Sequence, residues 1–196
     1  MPLTADLTIR ESAALSGVPK ATIEKAIEVR VLRTLPAPPR FRGGARRYLP
    51  IQAVAYFRSL KEADLAGLPT RHKRTIWREI VRSEPMRLAA IEFAPGTVLD
   101  LERLAADCLR YAVHYKNARD RHIASDPDIL GGTPVIIGTR LTVYAVLGRL
   151  QDGDSVDDLA EDYPEVPREA FMAAELYAKA HPLRGRPSGR PWRQAN

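Results

Sequence analysis

Residues 131–143, Gly-Gly-Thr-Pro-Val-Ile-Ile-Gly-Thr-Arg-Leu-Thr-Val, leave the chain few ways to fold there. Pro134 to Ile137 predicts a short β run, Gly138 a tight turn, and Leu141 to Leu150 the start of a helix. Arg140 falls at the junction, where its guanidinium could bond free carbonyls or a carboxylate and staple the turn. Asp152-Gly153 then closes the helix with a glycine at its C-terminal end. Ser155, with Asp158 three residues on, caps the next helix. Pro167 opens the last one, whose apolar stripe is Phe171, Ala174, Leu176 and Tyr177. The stretch predicts a small helical bundle of helix-turn-helix type.

The spacing of Ile123, Pro127, Gly132, Pro134, Ile136, Gly138, Thr139, Arg140, Asp152, Gly153, Tyr163 and Pro164 matches a known pattern. Residues 122–182 closely resemble the small bacterial domain called domain of unknown function 433. The resemblance implies an association with VapB-type antitoxins, which are often encoded beside a PIN-domain ribonuclease toxin. It leaves Gly132, Pro134, Gly138, Thr139 and Arg140 as the structural motif of the domain.

The front of the chain has a different character. Arg10 to Ser16 and Pro19 to Val29 read as two helices around the turn Ser16-Gly17-Val18. Ala13, Gly17 and Ile23 have the spacing of the small residue, turn glycine and inward apolar residue of a helix-turn-helix. Leu15 and Ile27 extend the apolar face, leaving Lys20, Ala21, Thr22 and Lys25 outward at the start of the second helix, the end that enters a major groove. Val29 to Leu35 and Arg46 to Ile51 look like two strands around the loop Pro36 to Gly44. Such a hairpin is a wing, and Arg40, Arg42, Arg46 and Arg47 would hold phosphates. An amphipathic helix over residues 50–64 follows, with Ile51, Val54, Phe57 and Leu60 on its apolar face. Residues 7–65 resemble the winged helix-turn-helix of the MerR and excisionase group.

Charge divides the chain further. Residues 1–95 hold 17 basic and 9 acidic side chains, whereas residues 121–181 hold 5 basic and 11 acidic ones. The basic front suits a polyanion and the acidic segment does not, so the latter is expected to make protein contacts, in dimerisation or toxin docking. Between them a helix begins at Pro69. Its face Arg71, Lys73, Arg74, Arg78 and Arg82 either extends a DNA footprint or is solvated. A β-hairpin turning at Pro95-Gly96 and a helix over residues 100–118 complete a connector or dimerisation element. The last fifteen residues carry Arg184, Arg186, Arg190 and Arg193 without an acid and read as a flexible basic tail. VapB-type resemblance implies that such a tail wraps the toxin. An arginine fork could bridge the carboxylates of a PIN-type active site, with Trp192 as an aromatic anchor.

Little points to catalysis. The chain has no P-loop, no G-x-S-x-G and no H-E-x-x-H. His122, Asp126 and Asp128 lie close together, but no further histidine or cysteine falls at ligand spacing, and Ser125 to Ile129 reads as a proline turn. His114 and His181 read as surface or capping residues, and Cys108 as part of a helix core. No enzyme activity, cofactor or metal is expected. No run approaches the roughly 20 apolar residues of a membrane span, and a cytoplasmic protein without membrane contact is expected.

The expected fold is therefore mainly α with short β-hairpins. It comprises a winged helix-turn-helix over residues 1–66, an α+β connector over 67–120, a small helix-turn-helix-like domain over 121–181 and a tail over 182–196. The expected function is that of a type II antitoxin. It would bind operator double-stranded DNA as a homodimer, repress its operon and neutralise a PIN-domain ribonuclease toxin. The alternative is a stand-alone MerR- or excisionase-like regulator with no toxin partner.

Overall fold

The computed structural model describes residues 3–37, 47–82 and 87–183. Among them the chain is mainly helical, with three small antiparallel strand sets. The elements begin with β1 (Leu7–Thr8), α1 (Ile9–Ser16), α2 (Lys20–Glu28), β2 (Leu35–Pro36) and β3 (Arg47–Leu49). There follow α3 (Gln52–Glu62), α4 (Thr70–Arg82), β4 (Ala90–Ala94), β5 (Thr97–Asp100) and α5 (Leu101–His122). The last are β6 (Ile123–Ala124), β7 (Val135–Ile136), α6 (Val143–Gln151), α7 (Val156–Asp162) and α8 (Arg168–Ala180).

Local signals account for most of these boundaries. Thr8 and Glu11 form a reciprocal capping box at the start of α1, and Ser155 with Asp158 does the same for α7. Asp100 caps α5 and Thr142 caps α6, each through its side-chain oxygen. Gly17 ends α1 in the left-handed region at φ 68°, where a Cβ is costly. The hairpin β4–β5 pairs Ala90 with Asp100 and turns at Gly96.

Two elements differ from the sequence expectation. Residues 29–34 form no strand. Val31 N–H bonds back to the Ala26 carbonyl, Arg30 has φ 56°, and Val31 and Leu32 are buried in the core. Only Leu35–Pro36 remains to pair with β3, whose other edge takes up β1. The second difference is α3, which is buried on nearly every side rather than on one face. Ala53, Tyr56, Phe57 and Leu60 join one apolar cluster with α2, α4 and β4–β5. Val54 and Ala55 join another with α5 and α8. A helix covered all round belongs to the interior.

That second cluster crosses the chain from end to end. Leu7, Leu15 and Ile51 from the front pack in one core with Leu109 and Tyr115 of α5 and Phe171, Ala174 and Tyr177 of α8. Continuous helix α5 also carries the chain through residue 120 without a break. No helix among the described residues is long and apolar enough to cross a membrane.

Candidate nucleic-acid interface

The paired helices α1 and α2 set out one surface. Ile23 is fully buried and Ala13 nearly so, which turns the opposite side of α2 outward. Lys20, Ala21, Thr22 and Lys25 are all exposed there. Lys20 Nζ lies 2.6 Å from Glu24 Oε1, and Lys25 Nζ lies 3.1 Å from Glu28 Oε1. Both pairs are half-exposed, so each contributes little and a phosphate can compete for either lysine. Arg47 is exposed on β3 beside Pro36. Arg40, Arg42 and Arg46 lie outside the described residues, as do Arg184, Arg186, Arg190, Trp192 and Arg193.

On α4 the basic face is partly engaged within the protein. Arg74 Nη2 donates to the Val29 carbonyl at 2.8 Å, which closes the end of α2. Lys73 Nζ donates to the Ala66 carbonyl at 2.5 Å, and Arg82 pairs with Glu79. Arg71 donates to the His72 ring at 3.0 Å.

The stretch 131–143 forms the predicted strand, turn and helix, but its staple is a different residue. Arg140 is exposed and makes no hydrogen bond or ion pair among the described residues. Thr139 does the work instead. Its Oγ1 donates to the Ile136 carbonyl at 2.9 Å and accepts from Leu141 N at 3.0 Å. The turn reverses within three residues, so a short hydroxyl reaches both strand and helix start. A guanidinium on a long stem extends past them into solvent. Gly132 is buried with φ 82°, Gly138 has φ 82°, and Pro134 is buried with its carbonyl accepting from Val143 N.

A buried ionic cluster at the base of α1 escaped the sequence analysis. Arg119 of α5 and Glu11 of α1 are each 1 % exposed. Arg119 Nη1 donates to Glu11 Oε1 at 2.7 Å, and Nη2 donates to the Asp6 carbonyl at 2.8 Å and to Asp120 Oδ1 at 2.7 Å. Tyr115 Oη donates to Glu11 Oε1 at 2.6 Å, and Thr8 N donates to Glu11 Oε2 at 2.7 Å. Burial alone would raise the Glu11 pKa. The adjacent Arg119 charge and the hydrogen bonds from Tyr115, Arg119 and Thr8 outweigh it and hold the carboxyl below its ordinary value. Burial also pushes the Tyr115 hydroxyl well up, and the Glu11 charge adds to it. His181, the residue after α8, stacks on Tyr177 and lies 3.1 Å from Thr8 Oγ1. Burial lowers its pKa, against a smaller upward pull from Glu11. His122 is 2.7 Å from Glu169, and no group of three potential metal ligands occurs among the described residues.

Comparison with known proteins bears on the rear of the chain. Residues 123–178 match the family described as "Protein of unknown function (DUF433)". This segment carries β6, β7, α6, α7 and nearly all of α8. The uncharacterized protein y4eO of Sinorhizobium fredii (strain NBRC 101917 / NGR234) is 48 % identical over 64 residues, which are 33 % of this chain and 29 % of that protein. The crystal structure of Rv2018 from Mycobacterium tuberculosis aligns over 87 % of this chain and 97 % of its own, at 20 % identity and a TM-score of 0.33. That score is too low for a shared fold to be read from it.

Proposed function

We propose that the protein binds operator double-stranded DNA through α1, α2 and the β2–β3 hairpin, in the manner of a winged helix-turn-helix. The observation that carries this reading is the outward face Lys20, Ala21, Thr22 and Lys25. Buried Ile23 and the positive φ of Gly17 fix it in place. The DNA-binding unit serves as the antitoxin of a type II pair, repressing its own operon as a homodimer. Two such faces would reach half-sites about 34 Å apart. Residues 184–196 would then engage a PIN-domain ribonuclease, with arginine forks directed at its carboxylates and Trp192 as anchor.

A second reading is a regulator without a toxin. It is favoured by the common core that α8 of the 123–178 segment shares with α1 and α5, which ties that segment to the helix pair rather than leaving it a separate docking module.

Fluorescence anisotropy with duplex DNA taken from upstream of the gene tests the first part. Affinity should fall with salt at a slope of roughly −0.9 per phosphate neutralised, and replacing Arg40 and Arg42 by alanine should flatten it by up to about 2. A salt-independent or undetectable interaction removes the DNA reading. Co-purification with the product of the neighbouring gene separates the two readings. Loss of that complex on deletion of residues 184–196, with DNA affinity kept, supports the antitoxin. Absence of any complex leaves the regulator.

A further inference from the structure

A groove of about 720 Å³ lies between α2, α3 and the start of α4. Ligand pockets in proteins occupy roughly 300–1,000 Å³ and are mostly apolar with a few placed polar groups. This groove has that make-up. Tyr56, Phe57 and Leu60 form its buried lining, with Val18 beside the turn between α1 and α2. Its outer lining carries three lysines, Lys25, Lys61 and Lys73, against one carboxylate, Asp64.

The lysines retain donor capacity. Lys61 makes no ion pair among the described residues, and its Nζ stands 3.0 Å from where a Cβ on Gly17 would be, so the ammonium lies over the turn. Lys73 has one proton on the Ala66 carbonyl and two to spare, and the Lys25–Glu28 pair is exposed. Tyr56 contributes to the apolar part of the lining, and its ring packs edge-on against Phe57.

We propose that this groove binds an amphipathic organic anion, an apolar chain or ring carrying a carboxylate or phosphate, and that this ligand and DNA exclude one another. The exclusion follows because Ala21, Thr22 and Lys25 line the groove and also form the face assigned to DNA. That half rests on the proposed function. The site itself does not. The chain's own segments fit the groove poorly. Helix α7 brings carboxylates, but its Leu159 is fully buried in its own core. Residues 184–196 hold four arginines and no acid, the wrong sign for three lysines.

The test is a chemical-shift titration of the full-length, isotope-labelled protein with octanoate, using octan-1-ol as its neutral twin. Octanoate should give saturable shifts at the amides of Val18, Thr22 and Leu60. Octanol should bind about tenfold more weakly, the worth of a charge-assisted hydrogen bond. Lys61→Gln with Lys73→Gln should weaken octanoate by about tenfold or more without altering the rest of the spectrum. Ala21→Trp, at an exposed position on the lining, should block it. Equal binding of octanoate and octanol, or no saturable shift at those amides, overturns the site. Saturating octanoate should also raise the dissociation constant for operator DNA. Octanoate binding with DNA affinity unchanged overturns the exclusion and leaves the site. A protein that binds octanoate but no DNA overturns the proposed function and the exclusion with it.

Discussion

Removal of the Arg119 charge is the perturbation with the largest expected effect. Arg119→Met keeps most of the stem volume but leaves the Glu11 carboxylate inside the protein with only Tyr115 and the Thr8 amide as partners. Both charges are 1 % exposed, so water cannot substitute for the lost guanidinium. Breaking one side of such a pair costs about 3–5 kcal/mol. For a chain of this size each kcal/mol lowers the melting temperature by roughly 2–4 °C, so a fall of roughly 6–20 °C is expected. Glu11→Gln should cost less, because Arg119 keeps the Asp120 carboxylate and the Asp6 carbonyl. The double variant should be less destabilised than the sum of the two by about 1–3 kcal/mol. Glu11 also sets an acid limb. Its folded pKa is depressed below 4.5, so it adds stability above that pH that is lost as pH falls through the lower folded value. Glu11→Gln removes this dependence. Thermal and urea unfolding followed by circular dichroism at pH 7 and pH 4 measure the melting temperatures and the free energies. A cost below about 1 kcal/mol for Arg119→Met, or strict additivity in the cycle, would refute the buried pair as the tie between α1 and α5.

Three smaller effects follow from the geometry. Thr139→Val should cost about 1–2 kcal/mol by removing both hydrogen bonds of the turn, whereas Arg140→Ala should stay within about 0.5 kcal/mol, as chemical denaturation of the pair would report. Gly17→Ala should cost about 1–2 kcal/mol from its positive φ, and Gly17→Asn less; a neutral Gly17→Ala would place that residue elsewhere in backbone space. His181 is held below its ordinary 6.5, so the unfolded chain takes up its proton first; its contribution to stability is full above that pH and declines as pH falls below it. His181→Gln should flatten the melting temperature between pH 6.5 and 5.5, and an unchanged slope would exclude His181 as its source.

The features legible in the sequence are those encoded within a few residues. The α1–α2 pair announces itself through Ala13, Gly17 and Ile23, and the caps Ser155 and Asp158 and the turn at Gly96 are read just as directly. Burial of α3 is not, because buried Ala53, Ala55 and Ser59 are small side chains that add little to its hydropathic pattern. Val31 and Leu32 alternate plausibly as a strand, and only the tertiary core decides that they serve as apolar contacts after α2. Arg119 resembles any arginine on a charged helix face. Its partner Glu11 lies 108 residues away, a separation that local pattern cannot see. Arg140 is the charged member of its turn, yet in so short a reversal the hydroxyl of Thr139 has the right reach.

The two ends of the described chain converge on the first turn of α1. Thr8 Oγ1 accepts from Glu11 N at 3.2 Å and lies 3.1 Å from His181 Nε2. A neutral imidazole with Nδ1–H donated to the Tyr177 carbonyl 3.1 Å away would accept the Thr8 proton at Nε2, in keeping with the burial that lowers its pKa. The same Glu11 takes its other bonds from Arg119 and Tyr115 on α5. One carboxylate thus joins the start of the helix pair to the long central helix, and one hydroxyl joins it to the last residue before the tail region. The basic front and the acidic segment are therefore not two tethered modules with independent fields. They share one apolar core and are held at a fixed offset.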